Sequence, residues 1–215
     1  MEIFSNNPFK VELTVEEKSS ALQAERFSRH DAEDSVGGVQ WNIYKINAPK
    51  VWAMDGLKGK GAGVVYASAD TGVAFRHPIL YKNYMGLKPD GKYDHNYNWY
   101  DGVRHHIGDG PKSKCGYASL FPCDDQGHGT HVMSTAVGSD GFGVAPDAKW
   151  IACRNMDNGL GSPETYLNCL NFFLAPHDLR GQNPDPSKRP HVVGNSYGCP
   201  DSEGCSPHAM TAAME

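Results

Sequence analysis

The sequence predicts an α/β fold of three layers, αβα, around a mainly parallel central sheet, and three observations predict it. Short apolar runs bounded by glycine or proline, such as Gly63-Val64-Val65-Tyr66-Ala67-Ser68-Ala69, read as strands buried on both faces. Apolar residues at helical spacing lie between those runs, as in Val132, Met133, Ala136 and Val137. Strand and helix patterns therefore alternate, which is the mark of crossover units in a parallel sheet. A chain of 215 residues suffices for one such domain with extra segments.

Residues 1–38 are polar and rich in Glu, Lys and Ser, with helix formers but only a weak apolar stripe from Val15 to Ala32. They end in Ser35-Val36-Gly37-Gly38, which reads as a flexible junction, and residues 39–215 are globular in composition. The strand at 63–69 puts Asp70 at its carboxyl end. From 73 to 126 the chain is loop-rich, and the aromatic and Asp cluster Tyr93 to Asp101 is expected to add one strand. The helix behind Gly127 starts at His128 and closes at Gly138 to Gly143. A strand over Lys149 to Met156 follows. Ser162 then serves as N-cap and Pro163 as first residue of a helix with the apolar face Tyr166, Leu167, Leu170, Phe173 and Leu174, ended by Pro176. Pro190 to Ser196 is a third strand, and a helix begins at Pro207. Ligands bind outside the carboxyl ends of such strands, where Asp70, the turn after Met156 and Ser196 would lie.

With 20 Lys+Arg against 25 Asp+Glu, the net charge is -5 and no basic run occurs, which excludes a nucleic-acid or anionic-membrane footprint. No apolar run approaches the ~18 residues of a membrane helix, and the first thirty residues lack the ~7 to 15 apolar residues of a signal peptide. The 6 cysteines all follow residue 114. Cys115 with Cys123, and Cys199 with Cys205, bracket short loops at intervals unlike those of structural zinc sites, so both pairs are expected as disulfides, with Cys153 and Cys169 buried and free. Such bridges imply an oxidising, extracellular setting.

Two motifs carry the chemistry: Ala69-Asp70-Thr71-Gly72 and Gly127-His128-Gly129-Thr130-His131. A hydroxyl nucleophile needs a neutral imidazole as base and a buried carboxylate to orient the ring and stabilise its charged form. Asp70 and His128 have those identities. Asp-Thr-Gly alone is a common turn, so the weight rests on the two motifs together.

On these motifs the chain resembles the subtilisin-like serine proteases. The likeness extends over Gln40-Trp41-Asn42-Ile43, Ile46-Asn47-Ala48-Pro49-Lys50, Asn98-Trp99-Tyr100-Asp101, Gly143-Val144-Ala145-Pro146, Lys149-Trp150-Ile151-Ala152 and Val192-Val193-Gly194-Asn195-Ser196-Tyr197-Gly198. The resemblance implies a serine endopeptidase with Asp70 as triad acid and His128 as base. It implies that Ser196, Tyr197 and Gly198 form the edge that pairs with substrate backbone, that Gly159, Leu160 and Gly161 form the facing strand, and that Met156 and Tyr197 line apolar subsites, with ordinary core packing as the alternative for both. His131 matches a position with no role in proton transfer, and residues 1–38 match the place of an inhibitory propeptide tail, with a disordered extension as the alternative.

The family's oxyanion Asn and its Gly-Thr-Ser-Met-Ala nucleophile motif do not occur through Glu215, so the chain is expected to stop before the final third of such a fold. An inactive protease-like fragment or a peptide-binding subunit is the alternative. Gly194-Asn195-Ser196-Tyr197-Gly198 also fits the nucleophile elbow of α/β-hydrolases, but that fold needs its acid and histidine later, where only Asp201, Glu203 and His208 remain. His128 and His131 at i, i+3 lack the H-E-x-x-H pattern of hydrolytic zinc, and no metal site is assigned. No cofactor is expected for the chemistry; structural calcium would fall in the loops around Asp94, Asp101, Asp124 and Asp125, as in related proteases. The expected partner is a peptide or protein substrate, with the chain itself a monomer.

Overall fold

Alternation along one central strand sets the layers. In β6 (Lys149–Arg154), Trp150 and Ala152 face one side of the sheet and Ile151 and Cys153 the other, as the two-residue period of an extended chain requires. β6 lies between β5 (Trp99–Asp101) and β4 (Val65–Asp70), and β9 (Val192–Gly194) pairs with β4. All pairings are parallel, in the order β5-β6-β4-β9. The computed structural model describes residues 9–10, 35–54 and 56–198.

The helix His128–Val137, α3, covers the Trp150 face, where Met133 and Val137 pack with Val73, Leu80, Tyr84 and Trp99. The helix Pro163–Leu174, α4, covers the other, where Cys169, Phe172 and Phe173 meet Ala67, Ala69 and Ile151. Each large side chain buried in this way contributes roughly 1.5–3 kcal/mol. Helix α4 starts as its sequence dictates: Ser162 Oγ accepts from Thr165 N, Thr165 Oγ1 accepts from Ser162 N, and Pro163 follows the cap.

Several elements differ from expectation. Only Trp99–Asp101 of the aromatic cluster is strand, because Tyr97 adopts φ +66 and its N–H bonds His177 O instead of a ladder partner. The 190–196 run contracts to β9. Gly37-Gly38, read as a flexible junction, forms the tight turn between β2 (Ser35–Val36) and β3 (Val39–Gln40), with φ +62 and +81. Two short helices not anticipated from the sequence, α1 (Trp41–Lys45) and α2 (Ala48–Trp52), follow that hairpin.

The cysteine assignment is corrected in one part. Cys115 and Cys123 are bonded as expected, but Cys153 and Cys169 are not free: they form a second disulfide. The α4-facing side of β6 brings Cys153 to a Cα separation of 5.6 Å from Cys169, within bridging range. The Cys199–Cys205 pair, the Val15 to Ala32 segment and the helix from Pro207 lie outside the described residues. No helix among the described residues is long and apolar enough to cross a membrane.

Candidate active site

Ser68 and Asp70 alternate with the α4-facing Ala67 and Ala69 on β4, so the Asp70 carboxylate emerges on the α3 side at the strand's last residue. His128 is the first residue of α3. Both are buried, and His128 Nδ1 donates to Asp70 Oδ1 at 2.8 Å. Asp70 Oδ1 also accepts from Thr71 N at 2.7 Å, and Asn155 N bonds the Asp70 carbonyl at 2.9 Å. In the neutral ring, an Nδ1 proton directed at the carboxylate leaves the lone pair on Nε2, and Nε2 makes no hydrogen bond among the described residues.

Three features hold the strand end and the helix start together. Gly72, at φ +105, lies against Cys123, where a Cβ would come 1.8 Å from the carbonyl oxygen. Gly129 meets the same turn, and a Cβ there would come 2.1 Å from Gly72 O. Asp124 accepts through Oδ1 from Thr71 Oγ1, Gln126 N and Gly127 N, and through Oδ2 from Thr130 N and Oγ1. It acts as the cap that the N-cap residue Gly127 has no side chain to supply.

Asp124 was legible only as one acidic residue in a cluster, although an Asp just before a helix start is an ordinary capping signal. The other residues of that cluster are likewise bonded to protein donors. Asp101 Oδ2 and Asp125 Oδ2 each lie 3.5 Å from the fully buried Arg154 guanidinium. Burial pushes both carboxyls above their ordinary value, with Arg154 opposing. Asp94 accepts from Asn96 and pairs with Lys88. Among the described residues no group of three or more His, Cys, Asp or Glu could hold a metal ion. His131 is exposed on α3.

The expected substrate strands fall on two segments. Strands β7 (Met156–Asp157) and β8 (Leu160–Gly161) form a hairpin through Asn158 and Gly159 at φ +50 and +86. Strand β1 (Phe9–Lys10) pairs antiparallel with the other edge of β8, Phe9 opposite Gly161 and Lys10 opposite Leu160. Met156, expected to line a subsite, is fully buried and presents no surface. Ser196 and Gly198 are exposed. The Tyr197 ring stacks on Tyr166 at 4.8 Å, and its hydroxyl accepts from Asn155 Nδ2 and donates to Asn195 Oδ1.

A carboxylate-oriented imidazole at the carboxyl edge of a parallel sheet has the geometry of a general base beside a ligand-binding crevice. The chain belongs to the subtilase family, whose model matches residues 61–215. Bacillopeptidase F of Bacillus subtilis (strain 168) is 44% identical over 171 residues, 76% of this chain and 11% of that protein. The major intracellular serine protease of the same organism is 33% identical over 145 residues, 65% of this chain and 38% of that protein. Its minor extracellular protease Vpr is 35% identical over 125 residues, 56% of this chain and 14% of that protein. Among solved structures, a protease chain from Pseudoalteromonas arctica is 22% identical with a TM-score of 0.46, over 78% of this chain and 50% of that one. The chain thus spans at most half the length of these proteins.

Proposed function

We propose that this chain supplies the acid and base of a subtilisin-type serine endopeptidase, with Asp70 orienting the His128 ring and His128 Nε2 taking the proton of a serine hydroxyl. The observation that carries this reading is the 2.8 Å bond from His128 Nδ1 to Asp70 Oδ1. As Nε2 accepts the proton, the ring becomes an imidazolium, which the ionised Asp70 stabilises at Nδ1. The serine oxygen attacks the scissile carbonyl, and His128 returns the proton to the leaving amine. The acyl-enzyme is then hydrolysed by water with the same ring as base.

The substrate on this reading is an extended peptide or protein segment lying between β8 and Ser196-Tyr197-Gly198, bonded main chain to main chain. Residues 1–38 act as an inhibitory tail, which the antiparallel pairing of Phe9–Lys10 on β8 supports. Two disulfides support an extracellular setting. The chemistry on this reading needs no metal. The chain acts as a monomer, and residues 1–215 alone cleave no peptide bond.

The test continues the chain through a Gly-Thr-Ser-Met-Ala motif and follows peptide hydrolysis. His128→Ala is expected to cut turnover by about four orders of magnitude or more with the fold intact, whereas His131→Gln retains most of the rate per folded molecule. In the 215-residue chain a fluorophosphonate probe should label no serine. Labelling at Ser196, or equal losses from both histidine substitutions restored by zinc, would overturn the proposal.

A further inference from the structure

Asp157 is a fully buried carboxylate of β7 that the Asp70–His128 pair does not use. Its Oδ2 accepts from His106 Nδ1 at 2.8 Å and from Ile107 N at 2.9 Å, and its Oδ1 accepts from Asn158 Nδ2 at 3.1 Å. The Tyr117 hydroxyl lies 3.1 Å from the same His106 Nδ1. The other ring nitrogen, His106 Nε2, bonds Gly110 O at 2.9 Å. Asn158 Nδ2 reaches Pro111 O at 2.9 Å as well. Gly108 sits so close to β8 that a Cβ there would come 2.7 Å from Leu160 Cδ1. The segment 106–111 is therefore fastened along the β7–β8 hairpin, with His106 and Asn158 as the side chains that donate across the junction.

We infer that His106 and Asp157 are positioning residues that fix the β7–β8 hairpin so that its β8 edge can receive an extended chain. The inference rests on the reading of β8 as substrate-facing given above. The hairpin has two ladder residues per strand and a turn at φ +50 and +86, and β1 adds only two more on the β8 edge that an extended substrate would have to take instead, so without β1 the hairpin is a two-stranded ribbon, which is marginal in water. Contacts from outside the hairpin decide how fully its edge is formed. An edge that must be ordered at the moment of docking binds more weakly than one already in place. A buried carboxylate that loses a donor is also poorly solvated, so removing the His106 bond bears directly on Asp157.

The experiment uses three variants of the 215-residue chain. His106→Asn keeps a donor near the place of Nδ1, His106→Gln keeps one near that of Nε2, and His106→Phe keeps neither. Hydrogen–deuterium exchange is read over 156–161 and, as internal reference, over 65–70 and 128–137. The Gln and Phe variants are expected to exchange 156–161 about tenfold faster with the reference segments unchanged, while the Asn variant stays near wild type. Rescue by Asn and not by Phe separates a donor to Asp157 from mere filling of space. Equal exchange in all four proteins, or acceleration spread over every segment, overturns the inference. Failure of the reading of β8 as substrate-facing would show elsewhere, as a KM for peptide hydrolysis that His106→Phe leaves unchanged in the chain continued through the nucleophile motif although exchange over 156–161 has accelerated.

Discussion

Thr71 Oγ1 donates to Asp124 Oδ1 at 2.9 Å and accepts from Gly129 N at 2.9 Å, joining the end of β4 to the start of α3 across 58 residues of chain. The hydroxyl thus sits between the carboxylate that caps the helix and the strand end that carries Asp70. The separation of Asp70 and His128 is held by these bonds as well as by their own.

Asp124→Ala leaves the N–H groups of Gln126, Gly127 and Thr130 without their acceptor. The expected loss is about 2 kcal/mol of stability by chemical denaturation, the sum of a lost cap and of part-buried donors left unmet. The low-field Nδ1 proton resonance of His128 should shift or broaden in the same variant. A resonance identical to wild type would show that Asp124 does not hold the ring.

Gly72→Ala and Gly91→Ala both place an alanine at positive φ, +105 and +81, but only Gly72 faces a backbone oxygen within 2 Å of the added Cβ. Nothing lies within 4 Å at Gly91. Gly91→Ala should cost about 1 kcal/mol from backbone strain alone, and Gly72→Ala about 3 kcal/mol or more. Thermal melts of the two variants check the order, and a Gly72 variant no worse than the Gly91 one would contradict the close approach.

Peptide mapping without reduction should recover Cys153 linked to Cys169, and alkylation of the native oxidised protein should label neither. The bridge closes a loop of separation 16 between β6 and α4, so replacing both cysteines by alanine should cost about 3 kcal/mol on the chain-entropy account. Both residues lie at 0% exposure, so reduction should require unfolding.

Burial pushes the Tyr84 phenol well above its ordinary range, so its O–H stays protonated and donates to Nδ1 of a neutral His95 at 2.9 Å. Burial likewise holds His95 below its ordinary 6.5, with Asp94 opposing and Arg76 assisting. The folded chain therefore binds this proton less readily than the unfolded chain. The stability from His95 is present above pH 6.5 and is lost as the pH falls through the lowered folded value. Urea denaturation of wild type and His95→Gln from about pH 7 to about pH 5 should show the gap between them narrowing toward acid. A gap that widens would contradict it.

The sequence by itself determined the short-range features. Glycine-bounded β4, the apolar spacing of α3, and the Ser162-Pro163 start of α4 are local patterns, and each element formed where its pattern lay. Asp70 and His128 were legible because each sits in a motif whose turn or helix start is set by its neighbours. Tertiary structure alone decided what lay between distant segments. Cys153 read as a free thiol until β6 and α4 faced each other, Asp124 as one acid among four until it met Thr71, and Asp157 as nothing until His106 came to it across 51 residues. These partners are chosen by strand alternation and by which face of the sheet each helix covers, and no local window of sequence contains both halves of such a contact.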